Sequence, residues 1–317
     1  MNKILIVGEV LIDMVENHKA FNFSVGGAPF NVAYNISSLG NEVSFVGQAG
    51  DDYFGKYILD LVKDKEFFDC KIETLKDKNT TIALNVEEKE GRTYHFLRKN
   101  TADFAYNLEN LNKINIADYK IVHIGSLFLS SETSFEIIKS FIEKCKKNNV
   151  LVSFDVNLRQ DIFNSKEEIL NRYQYFIDNA DLLKMSDEET EFFFGKLDDI
   201  SLATKFKDRT FIKTCGKEGA TLYFDNRFFT QSSYTVKVKD TVGAGDSFYS
   251  GFLYQFVNSD LKNLSDIEIL NVLKFASACG ALTCATNGAL NGYKSSKDVS
   301  EFMKKYESNK RFMFLKY

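Results

Sequence analysis

Proline is almost missing from this sequence. Average usage near 5% would put roughly 16 prolines in a chain of this length, yet the 317 residues hold one, Pro29. Phe, Asn, Lys and Ile abound instead, which reads as compositional drift rather than function. Cysteine is sparse and unpatterned: Cys70, Cys145, Cys215, Cys279 and Cys284 are odd in number and include no CxxC pair for a zinc site or redox couple, so they read as reduced cytosolic thiols. The three histidines, His18, His95 and His123, lack HExxH spacing, which argues against a His-rich metal site. A basic excess is missing too. With 40 Lys and Arg against 44 Asp and Glu the formal charge is −4, so the electrostatic footprint of a nucleic-acid binder is absent. No window holds eighteen consecutive apolar residues, so no membrane span is expected. The apolar run near the N-terminus is too short for a signal peptide, and Glu9 and Asp13 cut into it. These absences point to a cytoplasmic protein with neither nucleic acid nor membrane as partner.

What is present is ordinary and globular. The chain is 44% hydrophobic and 26% charged, which excludes the disordered class, and it is long enough to bury a full core without disulfide or metal staples. Short apolar runs recur, each closed by a small or polar residue: Ile4–Val7, Ile121–Ile124, Val150–Phe154, Leu182–Met185 and Thr210–Lys213. Such runs suit strands buried on both faces of a parallel sheet. Between them lie segments of helical period, Phe30–Leu39, Phe54–Lys63, Ser134–Lys147 and Lys166–Asn179, followed after Asp240 by Ser247–Val257, Asp266–Cys284 and Lys297–Asn309. Strand and helix in alternation predict an α/β fold, a three-layer αβα sandwich around a mostly parallel central sheet. Ligands in such folds gather at the carboxyl ends of the strands. Two stretches, Leu11–Val25 and Ile72–Arg98, alternate like strands, the second broken by a turn-like Glu87-Glu-Lys-Glu-Gly91. We expect them to form a small β-sheet flap over the pocket rather than a second folding unit.

The most informative segment is Asp240-Thr-Val-Gly-Ala-Gly-Asp-Ser-Phe248, a small-residue loop feeding a helix. A glycine loop at a helix N-terminus presents free N–H groups and the positive end of the dipole, which together make an anion site. Asp246 stands at that site either as a simple helix cap or as a carboxylate that accepts an alcohol proton beside a cradle for phosphoryl charge. Phe248 stands where a dinucleotide fingerprint needs its third glycine, and no Gly-Lys-Ser/Thr follows any glycine run, so neither a Rossmann signature nor a Walker loop is present.

Asp240–Phe248 resembles the C-terminal signature of the ribokinase-like (PfkB) carbohydrate kinases, and Gly26-Gly-Ala-Pro-Phe-Asn-Val-Ala33 with Leu39-Gly40 resembles their N-terminal one. Between them Gly47–Gly55, Lys184–Glu189 and Thr214–Ala220 look like family blocks in family order, so the resemblance covers essentially the whole chain, and its wording is most like the fructokinase branch. It implies one ribokinase-like domain over residues 1–317, with a lid sub-domain of about 11–25 and 72–98 inserted in the αβα core.

The resemblance also implies roles. Asp246 is the general base, and Gly243, Ala244 and Gly245 supply N–H groups to the transferring phosphate. Asp13, Gly26, Gly27, Asn31, Arg98, Asp103 and Arg159 bind the acceptor sugar, with Asp155 and Asn157 at a strand end nearby. Lys184, Ser186, Glu189, Thr214, Gly216, Gly219 and Asn287 lie along the nucleotide, and Glu189 helps place Mg2+ through water. Ser186 stands where many members carry Asn and fructokinase-like members often carry Ser. Taken alone, Ser186-Asp-Glu-Glu189 is equally a good helix-capping sequence, and a lone Arg98 or Arg159 is an ordinary surface residue. Cys279 and Cys284 read as core thiols, and His95 and His123 as structural. The implied activity is phosphorylation of a free sugar by ATP, most like fructose to fructose 6-phosphate, with 2-keto-3-deoxygluconate, ribose or a nucleoside as other acceptors and a catalytically silent sugar or nucleotide sensor as the rival class. Mg2+ accompanies ATP, K+ near the Asp240 loop fits the family, and the edges of a small exposed sheet suit a homodimer through the lid.

Overall fold

The computed structural model describes residues 2–17, 20–88, 91–259 and 261–314. His18 and two residues of the expected Glu87–Gly91 turn lie outside them. Two compact units emerge, Met1–Ala33 with Val43–Leu183, and Tyr34–Glu42 with Lys184–Tyr317.

Along the chain, the first run of elements is β1 (Ile4–Val7), β2 (Leu11–Asn17), β3 (Ala20–Gly26), α1 (Ala28–Ser38), β4 (Val43–Gly50), α2 (Tyr53–Val62), β5 (Phe68–Leu75), β6 (Ile82–Glu88) and β7 (Gly91–Leu97). It continues through α3 (Leu108–Asn112), β8 (Ile121–Ile124), α4 (Glu132–Lys147), β9 (Leu151–Asp155), α5 (Lys166–Asn179) and β10 (Leu182–Ser186). The remaining elements are α6 (Asp187–Phe194), α7 (Asp199–Lys205), β11 (Thr210–Thr214), β12 (Ala220–Phe224), β13 (Arg227–Gln231), α8 (Ala244–Val257), α9 (Asp266–Cys284) and α10 (Ser296–Phe314).

Nine strands form one sheet in the order β13-β12-β11-β10-β9-β8-β1-β4-β5. Its centre is parallel: β1 pairs in register with β4 on one side and β8 on the other, and every side chain of β1 and β8 is buried. That burial from both faces is why these strands read as unbroken apolar runs. From β1 the chain steps one way through α1 to β4 and through α2 to β5; from β8 it steps the other way through α4 to β9 and α5 to β10. Parallel crossovers share one hand, so the two directions put their helices on opposite faces, and three αβα layers result. The strand order reverses between β1 and β8, and a crevice outside the carboxyl ends of strands at such a reversal is where ligands bind in open α/β sheets.

The other four strands make a separate sheet, β3-β2-β6-β7, in which β2 and β6 run parallel. It belongs to the first unit, where Leu11 and Ala83, with Tyr94 and Phe96, pack on Leu127 and Ile162. The expected boundary is corrected at one point. Ile72–Leu75, assigned by alternation to the small sheet, continues β5, which pairs with β4 in the large one. As the terminal strand it buries only one face, so an edge strand shows the same alternation as a flap.

Within the second unit β11, β12 and β13 form an antiparallel meander. Here α9 packs on α8 and α10, and Tyr234, Phe275, Cys279, Tyr293 and Val299 join Leu39 in its core. Among the described helices α9 is long and apolar enough to cross a membrane, and most of it is buried inside the protein. In the first unit burial, with the Asp69 charge, pushes the Cys70 thiol up to about 12, and burial pushes Cys145 up to about 12. They are inert at neutral pH.

Candidate active site

The acceptor-side residues lie in the first unit. Asp13 stands mid-strand on β2, opposite Ser24 on β3 and Ala83 on β6. A Cβ at Gly26 would come within 1.9 Å of its Oδ2, so the glycine leaves that carboxylate room to lie over the strand as it does. Gly27 then turns the chain, and its carbonyl accepts from the Asn31 N–H at 2.8 Å to start α1. Pro29, the lone proline, falls in the first turn of that helix, where no N–H is needed. Asn31 is buried one turn in.

Arg98 and Asp103, expected to face the sugar, are held largely by each other. Arg98 donates through Nε and Nη2 to Asp103 Oδ2 at 3.0 and 2.5 Å, through Nη1 to Ser130 Oγ at 2.8 Å, and through Nη2 to the Leu127 carbonyl at 3.3 Å. Its guanidinium lies 3.8 Å from the centroid of Phe104. Asp103 Oδ1 accepts from the hydroxyls of Thr81 and Thr101. Of five guanidinium N–H groups one remains outside this network, and the two side chains are 7% and 1% exposed. Thr81 precedes β6 and Arg98 follows β7, so the ion pair fastens both ends of that hairpin to the Leu127–Ser130 segment. Arg159 differs. Its guanidinium lies over the Tyr94 ring at 5.2 Å and its Nη1 bonds only the adjacent Leu158 carbonyl, with no carboxylate partner among the described residues. Asp155 ends β9 in a buried position, and Asn157, with φ of 36°, accepts from Ser126 Oγ through its carbonyl at 3.3 Å.

Two buried polar groups here were passed over in the sequence. Glu9 follows β1 at 1% exposure, where it looked only like a break in an apolar run. The Tyr106 phenol is pushed well above its ordinary pKa by burial first, and then by the charges of Glu9 and Asp103.

The phosphate-side residues lie in the second unit. Gly243, at φ 73°, is the N-cap of α8 and contributes no capping side chain. Of the loop N–H groups expected to be free, that of Ala244 turns back to the Thr241 carbonyl at 3.2 Å. Those of Gly243 and Gly245 have no acceptor among the described residues. Asp246 follows in the first turn, half-buried. Lys184, from β10, brings its Nζ within 3.8 Å of the position a Gly245 Cβ would take, and 6.0 Å from the Tyr249 centroid. A helix N-terminus, two open N–H groups and an ammonium therefore converge on one spot beside a carboxylate. The loop is fastened by Asp240, whose Oδ1 accepts from Val242 N at 3.1 Å and Oδ2 from Gly288 N at 3.2 Å.

Ser186 and Glu189 form a reciprocal capping box on α6: Ser186 Oγ accepts from Glu189 N at 3.1 Å, and Glu189 Oε2 accepts from Ser186 N at 2.7 Å. The helix-start reading of this pair is thus realised, and it engages one Glu189 carboxylate oxygen. Thr214 Oγ1 donates to the Met185 carbonyl at 3.4 Å. Gly216 and Gly219, both at positive φ, close the turn from β11 to β12, with Cys215 N donating to Gly219 O at 2.8 Å. Asn287 is exposed on the loop after α9. No three His, Cys, Asp or Glu side chains converge as a metal cage among the described residues. A single hard carboxylate such as Glu189 fits an ion held mainly by substrate phosphates and water, as Mg2+ usually is. His123 is structural, its Nδ1 3.0 Å from Ser153 Oγ, and burial raises the Cys279 and Cys284 thiols.

Known proteins resemble this chain along most of its length. The family model described as pfkB family carbohydrate kinase matches residues 1–295. Fructokinase-2 of Solanum habrochaites is 31% identical over 310 residues, covering 94% of both chains. A crystal structure of fructokinase from Xylella fastidiosa with bound ATP superposes with a TM-score of 0.88 at 26% identity, covering 96% of this chain and 99% of that one. A double mutant of fructokinase from Vibrio cholerae O395, bound to fructose, ADP and potassium ion, gives 0.85 at 25% identity, covering 95% and 98%.

Proposed function

The chain belongs to the pfkB family of carbohydrate kinases, and we propose that it transfers the γ-phosphoryl group of ATP to a hydroxyl of free fructose, giving fructose 6-phosphate. The observation that carries this reading is the opening of α8: an N-cap glycine without a side chain, two N–H groups without acceptors among the described residues, the Lys184 ammonium, and Asp246 in the same turn. Fructose, rather than another sugar, follows from the Gly26-Gly-Ala-Pro-Phe-Asn31 wording and from relatives named as fructokinases.

In the proposed mechanism Asp246 accepts the proton as the sugar oxygen forms its bond to the γ-phosphorus and the bond to the ADP oxygen breaks. The N–H groups of Gly243 and Gly245, the dipole of α8 and Lys184 stabilise the charge that develops on the phosphoryl oxygens. Magnesium supplies neutralisation of the ATP phosphates, with Glu189 as the residue that would help hold it through water. Asp13, Gly26, Gly27, Asn31 and Arg159 hold the acceptor. Arg98 and Asp103 serve it chiefly by fixing the loop between them, with one Arg98 N–H left to give. Thr214, Gly216, Gly219, Ser186 and Asn287 border the nucleotide.

The small sheet acts as a lid within a single kinase domain, and its edge strand β3, with Phe21 and Phe23 exposed at 46% and 41%, is the surface through which two copies associate. Scattered unpaired thiols suit the cytoplasm.

The test is a coupled ADP-release assay with Mg·ATP against fructose, ribose, 2-keto-3-deoxygluconate, adenosine and fructose 6-phosphate, in potassium and in sodium. A single fast acceptor, fructose, is expected. ATP binding without ADP release on any acceptor would instead support a silent sensor.

A further inference from the structure

Asn35 lies on α1, one turn beyond Asn31, and is fully buried in the second unit. Its side-chain amide donates to the carbonyl of Ala289 at 3.4 Å, across 254 positions of sequence. Its Oδ1 has no hydrogen-bond partner among the described residues. A buried amide with one end unsatisfied weakens a core, and an apolar side chain of similar volume would pack the helix better. The donor end therefore needs a reason beyond packing, and the carbonyl it holds supplies one.

Ala289 is itself buried and sits directly beneath Gly243: a Cβ on Gly243 would come within 2.2 Å of the Ala289 Cβ and 2.7 Å of its Cα. The Gly288–Ala289 corner is thus the floor on which the positive-φ N-cap of α8 rests. Asp240 holds this corner by the Gly288 N–H; Asn35 holds it by the next carbonyl. Both grips meet at the turn from which the Gly243 and Gly245 N–H groups point.

We propose that Asn35 is a positioning residue for phosphoryl transfer: by holding the Ala289 carbonyl it seats the corner under Gly243 and sets the aim of the N–H groups that receive the phosphoryl charge. The proposal rests on the reading of that loop as the anion hole. Asn35 acts only through the backbone it fixes. Preorganised donors lose catalytic value when displaced by about an ångström, so the signature is a loss in kcat at unchanged sugar KM, separate from any loss of stability.

The experiment is steady-state kinetics on the full chain, with Mg·ATP and the fastest acceptor of the panel, alongside thermal melts. Asn35→Leu removes the donor and keeps the branched shape and the number of side-chain heavy atoms; it is expected to lower kcat by roughly tenfold with the sugar KM within about twofold. Asn35→Gln, which keeps an amide, recovers part of that loss. Ala289→Gly removes the floor beneath Gly243, and combining it with Asn35→Leu is expected to cost less than the product of the two single effects. Should Asn35→Leu fail to fold, Asn35→Ala, which also lacks a donor, carries the same comparison. Wild-type kcat with a lowered melting temperature, or effects that multiply independently, would overturn the proposal. Gly243→Ala separates the two levels. If it stalls turnover while Asn35→Leu does not, only the role of Asn35 falls; if it turns over normally, the anion-hole reading falls and this proposal with it.

Discussion

Asp246 and Arg98 were both named from the resemblance, and their surroundings separate them. Asp246 stands half-buried beside open N–H groups in the first turn of a helix whose N-cap is a glycine. Asp246→Asn is expected to cut turnover by about 10²–10⁴, the range of a general base, while ATP affinity by equilibrium titration stays within a fewfold. Turnover near the wild-type rate removes Asp246 from the mechanism. Arg98 is nearly saturated by Asp103, Ser130 and Leu127. Arg98→Ala leaves the buried Asp103 carboxylate without its cation and is expected to cost about 3–5 kcal/mol in urea unfolding. An unchanged midpoint with a raised sugar KM would return Arg98 to a purely ligand-binding role. The loop around Asp246 was legible because glycines, aspartate and the helix start are contiguous. The Arg98–Asp103 pairing was not, since two charges five apart outside regular structure give no sign of whether they face each other or a ligand. Asn35, Glu9 and Tyr106 left no signal at all, because burial of a polar side chain depends on segments far off in sequence.

Among the elements, the buried strands were readable wherever both faces are covered. Ile4–Val7 and Ile121–Ile124 form strands with the expected ends, because continuous apolar runs have few other uses in an α/β chain. Alternation was less informative, and the Ile72–Leu75 end of β5 was misassigned because an edge strand and a flap share it. The Gly47–Gly55 block offered no chemistry in sequence. It joins β4 to α2, and its Asp52 accepts from Gly55 N, Thr80 N and Thr80 Oγ1 at 2.8, 2.7 and 2.8 Å, so one carboxylate both caps α2 and pins the segment entering β6. Burial alone would raise the Asp52 pKa, and these hydrogen bonds outweigh it and hold the group below its ordinary value. A lowered carboxylate pKa contributes stability above the ordinary value and loses it as pH falls through the folded one. Asp52→Asn, which turns one acceptor oxygen into a donor facing Thr80 or Gly55, is therefore expected to be less stable at pH 7 by about 1–3 kcal/mol, with the gap to the wild type closing below about pH 4. A gap that stays constant from neutral to acid pH in denaturant titrations would show that the charge has no part in it.

For the whole molecule, the αβα class was legible from alternation, and the direction reversal about β1 follows from the order of the runs once pairing is known. Association was not legible beyond the presence of sheet edges. The exposed ring of Phe23 on β3 packs edge-on against Phe54 and Tyr57 of α2, at 5.6 and 5.3 Å between centroids, making an aromatic patch suited to a second copy. Phe23→Glu is expected to shift sedimentation toward the monomer with the fold intact; a wild-type chain that is already monomeric at high concentration contradicts the lid-mediated dimer. The central claim is that the molecule moves a phosphoryl group from ATP onto fructose. Its most direct test is phosphorus–proton correlation NMR of a reaction holding the protein, Mg·ATP and fructose. We predict a new phosphate resonance coupled to the protons at carbon 6, growing in step with ADP. ADP without a phosphorylated sugar, or phosphate on another carbon, would contradict it.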